Sequence, residues 1–190
     1  MRRSILALTL ATLALLASGT AALAAPAPTQ TISFNGWANF NSILGGSTNG
    51  TATVSGDVRD GQLGTLHAEV NLPLRNMSLT IDPTDVIVLQ TQRIPVQWNR
   101  WACDQYGCTY STGVATFEYQ RMQGPVTIKS GSLHGDGTFN AQTTATCVAD
   151  CPPAGAYWYA PYGYSNLSGA LTSSKEAGFL NINGGEPVIR

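Results

Sequence analysis

The chain has 190 residues, of which only 11% are charged, and a formal net charge of −1. Setting aside Arg2 and Arg3 leaves eight basic side chains against eleven acidic ones, a charge of −3. That balance argues against nucleic acid, which needs clustered Lys and Arg to neutralise phosphates, and against an electrostatic hold on an anionic membrane.

The charged fraction is less than half of the usual quarter. The surface must therefore be built from Thr, Ser, Asn, Gln and Gly, which suits extracellular β-proteins that meet sugars or one another.

The first 24 residues have the architecture of a secretory signal peptide. Arg2 and Arg3 form a basic start, Ile5 to Ala17 is an almost unbroken apolar run of 13 residues, and Ala22-Leu23-Ala24 is the small-x-small pattern that signal peptidase cuts. The run falls short of the roughly 20 residues needed to cross a membrane, and no later stretch approaches that length. No cysteine stands at the cut to carry a lipid anchor. The expectation is cleavage near Ala24 and a secreted protein, extracellular or periplasmic, with no membrane span.

Residues 25–30, opening with Ala25-Pro26-Ala27-Pro28, read as a flexible leader, and residues 31–190 as a single all-β domain. Thr31 to Phe40 predicts a strand weakened by Gly36. Asn49-Gly50 reads as a turn. Ala52, Val54 and Val58 alternate with polar residues, Asp60-Gly61 turns the chain, and Leu66, Ala68, Val70 and Leu72 alternate back, the clearest hairpin in the sequence. Met77, Leu79 and Ile81 predict a third strand, ended by Asp82-Pro83. Val86-Ile87-Val88-Leu89 is apolar on both faces and reads as a buried strand, and Pro95 marks an edge or a bend in its continuation.

Cys108 to Tyr119 is rich in Thr and aromatics. Val126 and Ile128 lead to Gly135-Asp136-Gly137, read as the turn of a second hairpin from which Phe139, Ala141, Thr143 and Ala145 return. Leu167 to Leu171 and Phe179 to Ile182 form a final pair. No helical stripe appears. About nine or ten strands at meander spacing predict a single antiparallel β-sandwich or barrel.

Export makes the four cysteines a disulfide set with three connectivities. The local pairs Cys103–Cys108 and Cys147–Cys151 are favoured, because Asp104-Gln105-Tyr106-Gly107 and Asp150-Cys151-Pro152-Pro153 supply turn chemistry. Such short rings stabilise by about 2 kcal/mol each, against about 4 for crossed pairs, so they act mainly by fixing loop shape. The spacing departs from that of zinc sites, and no metal or cofactor is expected.

Catalytic motifs are not evident. There is no nucleophile elbow, zinc-binding His pair or phosphate loop. His67 alternates away from Leu66 and Ala68 toward solvent, and His134 stands beside the Gly-Asp-Gly segment. Most Asp residues occupy turns. Glu118, inside a strand, with Glu69 or Asp104 as a partner, is the residue of a hydrolase reading, since glycoside hydrolysis needs two carboxyls. Three glycosylation sequons begin at Asn49, Asn76 and Asn166.

The strongest constellation is aromatic. Trp98, Trp101, Tyr106 and Tyr110 surround the first cysteine pair, with Arg100 between the two tryptophans as a cation or stacking plane. Tyr157, Trp158, Tyr159, Tyr162 and Tyr164 follow the second pair. Disulfide-fixed aromatic loops suit a docking site, because rigid rings bury apolar area at low ordering cost. The same residues also suit the core of a small secreted domain. The leading functional expectation is a non-enzymatic binding module for carbohydrate or another surface polymer. The alternatives are a self-associating envelope, matrix or fibre subunit, and a secreted hydrolase with dispersed carboxylates.

Overall fold

The computed structural model describes residues 29–190, so the expected signal peptide, 1–24, and the expected leader up to residue 28 lie outside the described residues. The described chain forms one antiparallel sheet of twelve strands: β1 (Gln30–Ser42), β2 (Gly46–Arg59), β3 (Gln62–Leu72), β4 (Arg75–Pro83), β5 (Gln90–Asp104), β6 (Gly107–Ser130), β7 (Leu133–Gln142), β8 (Thr146–Ala149), β9 (Tyr157–Trp158), β10 (Tyr164–Thr172), β11 (Ala177–Gly184) and β12 (Val188–Ile189).

The strand path runs β4-β3-β2-β1-β11-β10-β7-β6, and Thr80–Pro83 of β4 pair with Val126–Lys129 of β6. Eight strands therefore close on themselves. β5 and β9 extend beyond this ring, while β8 and β12 add to the edges of β6 and β1. This is not the expected sandwich or barrel of nine or ten strands. The difference comes from β8, β9 and β12, of four, two and two residues, which are too short to carry an alternation signal.

Period-two patterning explains the ring. Ile32, Phe34, Ala38 and Phe40 of β1, Ala52 and Val54 of β2, and Leu66, Ala68, Val70 and Leu72 of β3 all point inward. The β2–β3 turn is Asp60-Gly61, as the sequence implies, with φ of 51° and 72° that match a tight hairpin of primed type. The interior is filled rather than hollow. Phe34 and Phe139 stack at 6.4 Å between centroids. Gly184 and Gly178 leave the space taken by the rings of Phe34 and Phe40, since a Cβ at either would lie 2.5 Å from a ring carbon.

Three local expectations change. Val86–Leu89 is not a strand buried on both faces: Ile87 is buried and Val86 exposed, and the only pairing is a bridge from Val88 to Gln62. Ile87 instead plugs the ring, its carbonyl accepting the Leu63 N–H at 2.8 Å and its side chain filling the space above Gly124. The second hairpin turns at Gly131-Ser132, not at Gly135-Asp136-Gly137, which belong to β7. Gly135 and Gly137 are needed inside the strand because a Cβ at either would meet the backbone of β10. Asn49-Gly50 likewise lies within β2, where Gly50 abuts the backbone of Asn71.

Phe139 has no exposed surface and stacks on Phe34, so Phe139→Ala should cost about 3–5 kcal/mol, the range for deleting a buried aromatic ring. Urea unfolding followed by far-UV circular dichroism measures this directly. A cost below about 1 kcal/mol would show that the ring interior is loosely packed.

Candidate functional site

Beyond the ring, β5 and the first half of β6 continue as a two-stranded ribbon. Residues 107–121 of β6 pair with β5, whereas 121–130 pair with β7. The segment between β7 and β10 wraps this ribbon. β8 pairs with Thr116–Glu118 on the β6 edge, and β9 pairs with Trp98 and Asn99 on the β5 edge. The ribbon thus has a covered face and an open one.

Under the wrap lies a second small core of Val96, Ala115, Phe117 and Ala145, with Ile94, Trp98, Tyr119, Cys147 and Ala160 packed around it. Trp98 lies across Gly113, where a Cβ would stand 2.5 Å from the indole. Trp158 completes the cluster, its ring 6.4 Å from that of Phe117.

Polar pins hold the wrap in place. Glu186 accepts hydrogen bonds from the backbone N–H and hydroxyl of Thr144, both at 2.7 Å, and the Thr144 hydroxyl accepts the Gly163 N–H at 2.9 Å. Gln142, itself buried, donates to the Tyr162 carbonyl at 3.2 Å. Both disulfides are the local pairs favoured from the sequence. Cys103 and Cys108 stand directly opposite across the hairpin with Cα atoms 3.9 Å apart, and Cys147–Cys151 ties β8 to the residues just after it, with Cα atoms 5.7 Å apart. At the hairpin tip, Asp104 Oδ1 accepts the N–H groups of Tyr106 and Gly107.

The open face is read off the register: Cys103–Cys108, Trp101–Tyr110, Asn99–Thr112, Gln97–Val114, Pro95–Thr116 and Arg93–Glu118 are opposite pairs. Trp101 is 67% exposed and tilts against Tyr110 with centroids 4.9 Å apart. Tyr157, 71% exposed, pairs with Asn99 and so extends this face onto β9. Beside it, Tyr159 and the unpaired edge of β5 bound an open groove of about 370 Å³, lined also by Pro95, Gln97 and Trp158. Arg93 Nε donates to Glu118 at 2.7 Å, which leaves the far end of the face balanced in charge.

The sequence-derived aromatic set therefore divides. Trp101, Tyr106, Tyr110, Tyr157, Tyr159 and Tyr162 are exposed, and Trp158 is partly so. Trp98 belongs to the small core instead. Tyr164 is half-buried, and its hydroxyl accepts a hydrogen bond from Asn140 at 3.0 Å on the outer wall of the ring. Arg100 does not stand between two indoles. It lies on the covered side with Trp98, its Nε close to Gly155, while Trp101 points the opposite way. Sequence reasoning missed Asn99, Gln97 and Thr112, the polar members of the open face. Their alternation with Trp98 and Val96 was their only signal.

The carboxylates are spread over separate elements. Glu118 is held by Arg93, Glu69 accepts from Ser78 at 2.7 Å, and Asp104 is engaged by the tip amides. Among the described residues no group of three His, Cys, Asp or Glu side chains is arranged to hold a metal, and His67 and His134 are both exposed. No helix among them is long and apolar enough to cross a membrane.

The wrap depends on Trp98 lying flat on Gly113. Gly113→Val should lift the indole, release β9 and cost about 1–3 kcal/mol, the usual penalty for overpacking. The expected readout is new proteolytic cleavage between residues 149 and 157 while the ring stays folded. A cleavage pattern identical to wild type would show that β9 docks without this contact.

With this geometry in place, comparison of the chain with family models, curated proteins and solved structures finds no match.

Proposed function

We propose that the chain is an exported, non-enzymatic binding module that holds a neutral glycan or a similar uncharged surface polymer on the open face of the ribbon. One observation carries this reading. β9 adds to the edge of β5, so aromatic residues 47 positions apart in sequence, Tyr110 and Tyr157, stand on one exposed face with Trp101.

Sugar rings have an apolar C–H face and a rim of hydroxyls. Trp101, Tyr110 and Tyr157 offer apolar faces of matching size, while Gln97, Asn99 and Thr112 offer donors and acceptors between them. The staple at Cys103–Cys108 sits one pair beyond Trp101–Tyr110 on the same face and holds that pair in register before any ligand arrives. Such pre-organisation reduces the ordering cost of binding.

Export supports the same reading. The signal-like residues 1–24 and the two disulfides point to an oxidising compartment. Assembly into fibres finds less support, because the closed ring removes most sheet edges, and the open stretch of β5 carries Pro95, which lacks a donor. A hydrolase reading lacks two carboxyls converging on the aromatic face.

Trp101→Ala should lower retention on an insoluble neutral polysaccharide at least tenfold, equivalent to about 1.4 kcal/mol, with an unchanged melting temperature. Raising the ionic strength should leave wild-type retention unaltered, since no charge pairing is involved. Unchanged retention in both Trp101→Ala and Tyr157→Ala would overturn the open face as the site.

A further inference from the structure

The outer wall of the ring carries a second surface, away from the ribbon. Across the register Asn71 of β3, Thr51 of β2, Trp37 of β1, Asn183 of β11 and Asn166 of β10 are successive neighbours. One step along the strands, Asn49, Asn39 and Asn181 form a parallel row. All alternate with core residues, among them Ala38, Ala52, Val70, Leu167 and Ile182, so they project outward. Trp37 is 73% exposed at the centre of this field.

The amides around it hold one another. Asn39 Nδ2 donates to Ser47 Oγ at 2.8 Å and to Asn49 Oδ1 at 2.5 Å. Asn166 Nδ2 donates to Asn181 Oδ1 at 2.9 Å and to Asn183 Oδ1 at 2.8 Å. With their oxygens engaged, Asn49, Asn181 and Asn183 keep their Nδ2 donors for a ligand, and Asn39 keeps its oxygen as an acceptor. Strands lie about 4.8 Å apart and residues rise about 3.4 Å each, so Asn183 stands about 5 Å from Trp37 across the sheet and Asn39, Asn49 and Asn181 about 7–8 Å away, the span of adjacent sugar units in a chain. β1, β10 and β11 contain no charged residue, and β2 has none before Asp57.

We infer that Trp37 and its flanking asparagines form a second binding platform for a neutral glycan chain, separate from the ribbon. The chemistry selects this occupant. An anionic ligand would find no counter-charge here, and a cationic one only Glu69 of β3, at the rim beside Asn71 and already accepting from Ser78. An apolar partner would strand the amides without hydrogen bonds. A peptide adding as a strand needs an open edge, and β1 is paired on both sides here. A pyranose ring satisfies both elements at once, its C–H face on the indole and its hydroxyls on fixed donors and the acceptor.

The inference does not depend on the ribbon, and its test separates the two. The four tryptophans give four indole N–H signals in a ¹⁵N–¹H spectrum, assignable through single Trp→Phe variants. Cellohexaose, xylohexaose and mannohexaose would be titrated into the exported protein. The expected result is a saturable shift of the Trp37 signal with at least one of them. That shift should persist in Trp101→Ala and weaken at least fivefold in Asn183→Ala. Shifts confined to Trp101 and Trp158 would overturn the platform while leaving the ribbon reading standing. A shift of Trp37 alone would support the platform and count against the ribbon. A Trp37 signal unmoved by all three sugars, or one that moves only with protein concentration, would overturn the inference, the latter marking a contact between copies.

Discussion

One strand carries the mechanical connection between core and site. β6 runs unbroken for 24 residues, its second half closing the ring and its first half forming the ribbon. Inside the ring Met122, Val126 and Ile128 point into the core. A one-residue slip would turn all three outward, so the ring fixes the phase of the whole strand. That phase passes along an unbroken register with β5 to the tip. The pleat face that is buried in the ring becomes the open face of the ribbon, and the outer face becomes the one covered by the wrap. Trp101, Tyr110 and Asn99 therefore owe their orientation to apolar packing many residues away.

This inversion explains what could and could not be read from the sequence. The long strands of the ring were legible because their alternation is clean and their turns carry residues such as Asp60-Gly61. Local disulfides followed from turn chemistry beside each cysteine. The fate of the aromatics was not legible. Tyr110 alternates in phase with the core positions Met122, Val126 and Ile128 of its own strand, whereas Trp101 alternates out of phase with Val96 of β5, and nothing in the residue order says where the sheet stops being covered. The glycines at 135 and 137 misled for a related reason. Glycine marks a turn when φ is positive, but here it marks close approach of a neighbouring strand, a long-range fact with the same local signature. The pairing of β9 with β5 rests on two residues, beneath the reach of any periodicity.

The ribbon is also held differently from the ring. The ring buries a large connected apolar cluster, whereas the ribbon and its wrap share a cluster of four buried side chains. At about 1.5–3 kcal/mol for each large buried side chain, so small a cluster cannot order a long wrap by itself. The two disulfides, the Glu186–Thr144–Gly163 network and the Gln142 bond to Tyr162 supply the remaining constraint. These contacts fix geometry at little cost in exposed aromatic area, which a larger core would have consumed.

Charge settles how such a surface can recognise anything. The described ion pairs, Asp57–Arg59, Arg75–Glu176, Arg93–Glu118 and Lys129–Asp82, largely cancel locally, and none of them lies on β1, β10 or β11 beside Trp37. Without a directed field, encounter with a partner is not steered, and association proceeds at the ordinary rate for oriented docking. On the proposed binding reading, affinity comes from slow release, and slow release depends on groups already placed before contact. Both aromatic surfaces meet that condition by different means, the ribbon through a covalent staple beside Trp101 and the ring wall through amides that orient one another around Trp37. On the proposed reading a chain so poor in charge recognises by fit, with Trp101, Tyr110 and Trp37 each set on a strand paired along its length.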